Sequence, residues 1–520
     1  MLKERASGVL LHPTSLPGPY GIGELGSEAV AFVDFLVSAK QKLWQVLPLG
    51  PTGYGDSPYA AFSSFAGNPL LISLERLMQD GLISQVEVHQ HRSDFPAEQV
   101  DFGAVIEWKI PLLRKAAIAF RARSDRQRLQ AYHRFCEAQA YWLDDYALYM
   151  SIKARFDERA QREGVANSVW CEYWDRDIAR REPQAMVAWR DRCQSDMEIY
   201  KTWQFFFFEQ WTSLRRYAND RGIRIIGDLP IYVALDSADV WSQPAGFRLD
   251  RDGRPILVAG VPPDYFSETG QRWGNPVYDW KQMQEDNFGW WIQRFRGTQS
   301  LVDVIRVDHF RGFEAGWSIP VAEPTAVHGE WVKAPGMDLF REVRVQLGDV
   351  PILAEDLGLI TPEVEYLRDQ NQLPGMRVLQ FAFDAGHGPD NHFLPHNYVP
   401  HSVVYTGTHD NDTTLGWYRT RSEAQRRFLA DYLGYEPRDV VWDLIRLAMG
   451  SVSAWAIFPM QDLLGLGAEA RMNRPSAAHG NWSWRMPPQP ALAAVRDRLV
   501  HLVDLFDRNG NPCRHGSVDT

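Results

Sequence analysis

The chain has 520 residues, 45% hydrophobic and 23% charged, with a formal charge of −11 from 55 basic and 66 acidic side chains. That balance argues against a nucleic-acid binder, which would carry a basic patch or excess, and no apolar run approaches a membrane-spanning length. Cys136, Cys171, Cys193 and Cys513 lie far apart with no CxxC pair, which speaks against disulfides and a cysteine zinc site.

The first residues, Met1 to Gly8, show no apolar signal core, so a cytoplasmic protein is expected. Gly8-Val9-Leu10-Leu11-His12 reads as a short buried strand running into a Pro/Gly-rich loop (13–21). Ser27 is expected to cap a helix with Ala29, Val30, Phe32, Val33 and Leu36 on its apolar side. Trp44 to Leu49 reads as a second strand, which makes a βαβ unit. The loop after it, Gly50 to Tyr59, is rich in turn formers and aromatics. From about 73 to 220 the apolar spacing turns helical. Ile223 to Val233 returns to strand, with Asp228 at its polar end. A long irregular stretch, 234 to about 298, is too aromatic for disorder.

Asp303-Val304-Ile305-Arg306-Val307-Asp308-His309 opens as a fourth apolar strand and ends in charge. Side chains alternate along a strand, so Arg306 and Asp308 share a face, roughly 6.5–7 Å apart. The arginine is expected to orient the acid and lower its pKa. Val350 to Gly358 repeats the theme, an apolar run followed by Glu355 and Asp356. Gly375 to Phe383 is a sixth strand, Ser402 to Asn411 a seventh ending in His409 and Asp410, and Ala454 to Asp462 an eighth. Eight apolar strands, several separated by helical patterns, predict an α/β (β/α)8 TIM barrel. It would be one unit over 1–520, with a mainly helical insertion at 66–220, a loop insertion at 234–300 covering the cleft, and a smaller one at 313–336.

In such a barrel the strands' carboxyl ends form the active site. Asp308, Glu355 and Asp410 end strands four, five and seven. Converging carboxyls have three readings. In the first, Arg306, His309 and His409 neutralise them as structural ion pairs; in the second, the acids hold a divalent metal; in the third, they do acid–base chemistry. The metal reading lacks the strand-end lysine of enolase-type sites, and His12 stands alone against a zinc site. Glycoside chemistry needs one ionised and one protonated carboxyl. Asp308, beside Arg306, suits the anion. Glu355, with no cation within two residues on an apolar strand, suits the general acid. Asp410 suits stabilisation of an oxocarbenium-like transition state. The 20 tryptophans and 19 tyrosines are mostly core, but aromatic faces also stack on sugar rings.

The sequence further resembles the 4-α-glucanotransferases (amylomaltase or disproportionating enzyme) of the α-amylase clan, nearly end to end. The resemblance rests on Leu11-His12-Pro13-Thr14-Ser15-Leu16-Pro17-Gly18, Ser57-Pro58-Tyr59, Gly227-Asp228-Leu229-Pro230, Gly260-Val261-Pro262-Pro263-Asp264, Trp273-Gly274-Asn275-Pro276, Arg306 to Arg311, Ala354 to Gly358, Thr408 to Asn411 and Arg471-Met472-Asn473. It implies a retaining double displacement on malto-oligosaccharides and α-1,4-glucans, with no metal and no cofactor. Asp308 would be nucleophile, Glu355 acid and base, and Asp410 transition-state stabiliser. Ser57, Tyr59, Asp228, Arg306, His309 and His409 would surround the donor glucose, while Tyr265, Phe266, Gln271, Trp273 and Asn473 would hold further sugar. After Asn473 the chain reads Arg474-Pro475-Ser476 where the family has a small residue and Pro-Gly. An α-glucan hydrolase would use the same carboxylates and differ in how water is kept from the intermediate.

Overall fold

The computed structural model describes residue 2 and residues 4–90, 94–263, 267–383, 388–475, 477, 479–487 and 492–512. Eight parallel strands follow one another round a barrel: β1 Glu4–Leu10, β2 Leu43–Gln45, β3 Arg224–Leu229, β4 Val304–Val307, β5 Ile352–Ala354, β6 Gly375–Val378, β7 Ser402–Tyr405 and β8 Trp455–Pro459. Their ladders are parallel throughout, from β6–β7–β8–β1 to β2–β3–β4–β5. Between β5 and β6 the Ala354 N–H donates to the Pro374 carbonyl at 3.0 Å, so the barrel is nearly closed. Strands buried on both faces read as continuous apolar runs, as Ile225, Ile226, Val403, Val404 and Ile457 do.

The strands are shorter than the apolar runs that announced them. β2 stops at Gln45 because Pro48 soon removes a ladder donor. After β6 the chain turns into a 3-10 helix, Leu379–Phe383, in place of the expected strand end. The first helix, α1, spans Ser27–Ser38; its cap is Gly26, without a side-chain cap bond, so Ser27 is not the expected N-cap.

Between β2 and β3 lie helices that include Phe102–Arg123, Arg126–Glu163 and Pro183–Asn219. The last two pack through aromatic pairs such as Phe135–Phe205 at 5.8 Å and Tyr146–Tyr200 at 6.4 Å. The stretch 234–298 is less irregular than the sequence implied. It holds strands Leu257–Val261 and Gln271–Pro276 and the greater part of helix Gly289–Leu301. With Ala315–Pro320 and Glu330–Lys333 these strands form a separate four-stranded antiparallel sheet, which stands over the barrel rim. At the opposite end, buried Arg508 donates to the carbonyls of Ala6, Met449, Ser451, Ser453 and Ala454 and so gathers the β1 and β8 starts.

Candidate active site

Register builds the rim. β3 and β4 pair Asp228 with Arg306, so the two side chains meet inside the barrel mouth. One guanidinium nitrogen of Arg306, Nη1, donates to Asp228 Oδ2 at 2.6 Å and to Asp308 Oδ1 at 3.0 Å. The alternation read from sequence thus brings Arg306 and Asp308 together. Tyr59 donates its hydroxyl to the same Asp228 oxygen at 2.7 Å. Burial pulls Arg306 down, but Asp228 and Asp308 outweigh it and keep the guanidinium charged.

Asp308 follows β4 directly. His309 then takes a left-handed backbone, φ 49°, which a side-chain-bearing residue rarely adopts. This turn aims the His309 N–H at Glu355 Oε2, 2.6 Å away, while the Leu357 N–H reaches Oε1 at 2.9 Å. Glu355 therefore has backbone donors and, among the described residues, no cation in contact. Burial pushes it up to about 8, against the lowering pull of Arg306. Asp308 departs from expectation. Arg306 does pull it down, but burial, Asp228 and Asp410 pull harder and place it near 7. A quarter of the Asp308 side chain remains open to solvent (26%), against 3% for Arg306. With both acids raised, the rim favours a state that retains a proton near neutrality, with Glu355 its better holder.

Asp410 sits across the mouth on the loop after β7. Asn473 Nδ2 donates to its Oδ1 at 2.6 Å, and His409 Nε2 lies 3.3 Å from its Oδ2. Arg471 donates to the Asp410 and Asn473 carbonyls. The histidines are not the counter-cations that the ion-pair reading required. Burial lowers His309 to about 4 and also lowers His409, so both rings are neutral, and it is Arg306 that meets Asp228 and Asp308 as a cation. Among the described residues no group of three His, Cys, Asp or Glu could hold a metal ion.

Aromatic faces frame the mouth. Tyr59 stacks on His409 at 5.2 Å and leans on Trp482 at 5.7 Å. Trp273, on the rim sheet, meets His309 edge-on at 4.9 Å, and its Nε1–H donates to Gln271 Oε1. Ser57 Oγ accepts from the Tyr59 N–H at 3.2 Å, shaping that turn. Tyr265, Phe266 and Ser476 lie outside the described residues. Three buried polar atoms here lack partners among the described residues: Asp228 Oδ1, His309 Nε2 and His409 Nδ1. Unpaired buried polar groups are costly unless something meets them, and the hydroxyls of a sugar have the chemistry to meet the first two.

The sequence reading gives no role to Asp462, which it places at the end of the eighth strand, or to Trp482, which it takes with Trp484 as packing. Buried Asp462 accepts from Thr406 Oγ1 (2.6 Å), Thr414 N (2.7 Å) and Thr414 Oγ1 (2.7 Å), and so ties both ends of the Asp410 loop to the β8 end. Its signal was an acid closing an apolar strand, the pattern that singled out Asp308. Trp482 gave no local signal beyond its size.

A family model described as 4-alpha-glucanotransferase matches residues 11–491. The 4-alpha-glucanotransferase of Thermus thermophilus is 50% identical over 512 residues, covering 97% of this chain and 99% of its own. That of Synechocystis sp. is 49% identical over 512 residues, covering 98% and 99%. Among solved structures, the amylomaltase of Streptococcus agalactiae in complex with acarbose superposes with a TM-score of 0.92 at 40% identity, covering 98% of this chain and 100% of that one.

Proposed function

This chain belongs to the 4-alpha-glucanotransferase family, and on that premise we propose how its rim carries out the transfer and which residues take each part. The donor is a malto-oligosaccharide or α-1,4-glucan. Asp308 attacks the anomeric carbon while Glu355 protonates the departing glycosidic oxygen. The bond to the leaving sugar breaks as the bond to Asp308 Oδ forms. Glu355, now an anion, takes the proton of an acceptor's 4-hydroxyl. That oxygen displaces Asp308, and a new α-1,4 bond is made with retention.

The observation that carries this assignment is the difference in partners between the two acids. Asp308 touches a guanidinium that also holds Asp228, which favours its anion and aims one oxygen. Glu355 is buried without a cation in contact and holds its proton to higher pH. Asp410, fixed by Asn473 and His409, faces the charge that grows on the ring as the bond breaks. Tyr59 and His409 offer a stacked pair beside the donor glucose, while Asp228, Arg306 and His309 bind its hydroxyls. The rim sheet, through Trp273 and Gln271, serves the acceptor side, a part that the family resemblance extends to Tyr265 and Phe266. Asn473 acts chiefly through Asp410.

Incubation with maltotriose tests the reading. Transfer yields glucose and longer oligosaccharides with the number of reducing ends constant, because every bond broken is remade. Shorter products alone, with reducing ends rising, would identify water as the acceptor and overturn transfer as the main reaction.

A further inference from the structure

Beneath His409 lies a second, smaller space that none of the three proposed catalytic carboxylates lines. It is a cavity of about 20 Å³ whose lining residues include Leu11, His12, Leu47, Thr408, His409 and Gln461. Each of these two histidines has a buried ring nitrogen without a hydrogen-bond partner among the described residues, Nδ1 of His12 and Nδ1 of His409. Both residues are buried, at 6% exposure each. His12 is positioned by the chain turn after β1, where its carbonyl accepts from the Ser15 N–H at 2.9 Å. No hydrogen bond joins the two rings directly among the described residues.

A neutral imidazole has one N–H donor and one bare acceptor nitrogen. His409 Nε2 lies 3.3 Å from Asp410 Oδ2, a contact that is attractive only when Nε2 carries the proton. Nδ1 of His409 is then an acceptor, and it needs a donor that the protein does not supply. A water requires about 10–15 Å³ of such space and polar partners, and the cavity offers both. We propose that His12 is a positioning residue for the transfer reaction: through one buried water bridging the two Nδ1 atoms, it fixes His409 in the tautomer that donates from Nε2 to Asp410. The water accepts from the His12 Nδ1–H and donates to His409 Nδ1. His12 touches no substrate. Its effect on rate rests on the role given above to Asp410, but its effect on the His409 tautomer does not.

The test uses the full chain labelled with 15N-histidine, with the His409 signals identified by their loss in His409→Ala. In the native chain, His409 should show a protonated Nε2 and a bare Nδ1. His12→Leu removes the partner and should give a mixed or reversed pattern. The same variant should lower kcat for maltotriose by roughly tenfold to a hundredfold, the scale of one hydrogen bond to a charged group, with KM changed less than about twofold. His12→Asn places an amide near the Nδ1 position and should restore most of the rate and the native pattern. An unchanged His409 pattern in His12→Leu would overturn the proposal, as would a His12→Asn enzyme as slow as His12→Leu. If Asp410→Asn proved fully active, the catalytic reading of Asp410 would fall while the tautomer result still stood or failed by itself.

Discussion

Replacing Arg306 by methionine removes a charge while keeping most of the volume, and the structure fixes what should follow. Arg306 Nη1 bonds Asp308 at 3.0 Å and Asp228 at 2.6 Å. A hydrogen bond to a charged group contributes about 1.5–3 kcal/mol, which on Asp308 corresponds to about one to two pKa units. The sign is upward, since Arg306 favours the Asp308 anion and its loss favours the protonated form. Asp308 already titrates near 7, so at pH 7 the fraction of nucleophile should fall about fivefold to fiftyfold. Raising the pH cannot fully recover it, because Glu355 loses its own proton at about 8. The acidic limb of kcat/KM should therefore move up and the maximum shrink. The assay is the initial rate of glucose release from maltotriose between pH 5 and 9 at constant ionic strength. Asp228, with its side chain fully buried, loses its cation as well, so stability should drop by about 3–5 kcal/mol. Retained activity with an unmoved acidic limb in a folded Arg306→Met enzyme would refute the assignment of Arg306 as the group that keeps Asp308 ionised.

Asp308→Asn should lower turnover at least about a thousandfold while maltoheptaose still binds, as read by calorimetry; a rate near native would remove Asp308 from the nucleophile role. Glu355→Gln should lose activity on maltotriose yet still react with an α-glucosyl fluoride, whose leaving group needs no proton, and azide should then displace Asp308 from the intermediate and release an α-glucosyl azide. Failure with both donors would argue against Glu355 as the acid. Asp462→Asn turns an amide toward three donors, leaving Thr406 and Thr414 poorly satisfied; it should cost about 1–3 kcal/mol of stability and raise KM by loosening the Asp410 loop, measured by melting and maltotriose kinetics. The raised acids also set a pH trend. Their folded pKa values lie above the unfolded ones, so their contribution is full below about pH 4 and is lost as pH rises through 7 to 8. Asp308→Asn should therefore gain more in Tm over the native chain at pH 8 than at pH 5.

Much of the rim was legible because a parallel barrel strand is apolar until it ends, so Asp308, Glu355 and Asp410 stood out against their own strands. The contact between Arg306 and Asp308 followed from a period of two. Burial was not legible, and it changed the electrostatics. It made His309 and His409 neutral, against the ion-pair alternative among the three readings, and it lifted Asp308 where a neighbouring arginine implies the reverse. Partners distant in sequence were equally hidden. Asp462 meets Thr406 across 56 positions and Thr414 across 48. The strand Gln271–Pro276 lacks apolar alternation because it is an edge strand with Arg272 and Trp273 exposed, so its stretch read as loop.

The rim sheet is knit from segments on both sides of β4 in the chain. Its inner pair, Leu257–Val261 and Ala315–Pro320, joins Leu257 to Pro320 with β4 between them in the chain. Its two outer strands grip one turn: Trp273 touches His309, and Trp331 lies under the guanidinium of Arg311 at 3.7 Å. Such a device cannot be traded as a cassette. A chimaera that imports one hairpin alone leaves a bare strand edge, open to pairing with another molecule, and removes one jaw from the turn that carries His309. Loop-swapping aimed at altering product length should therefore move both hairpins with the β4 turn, as three segments inherited together.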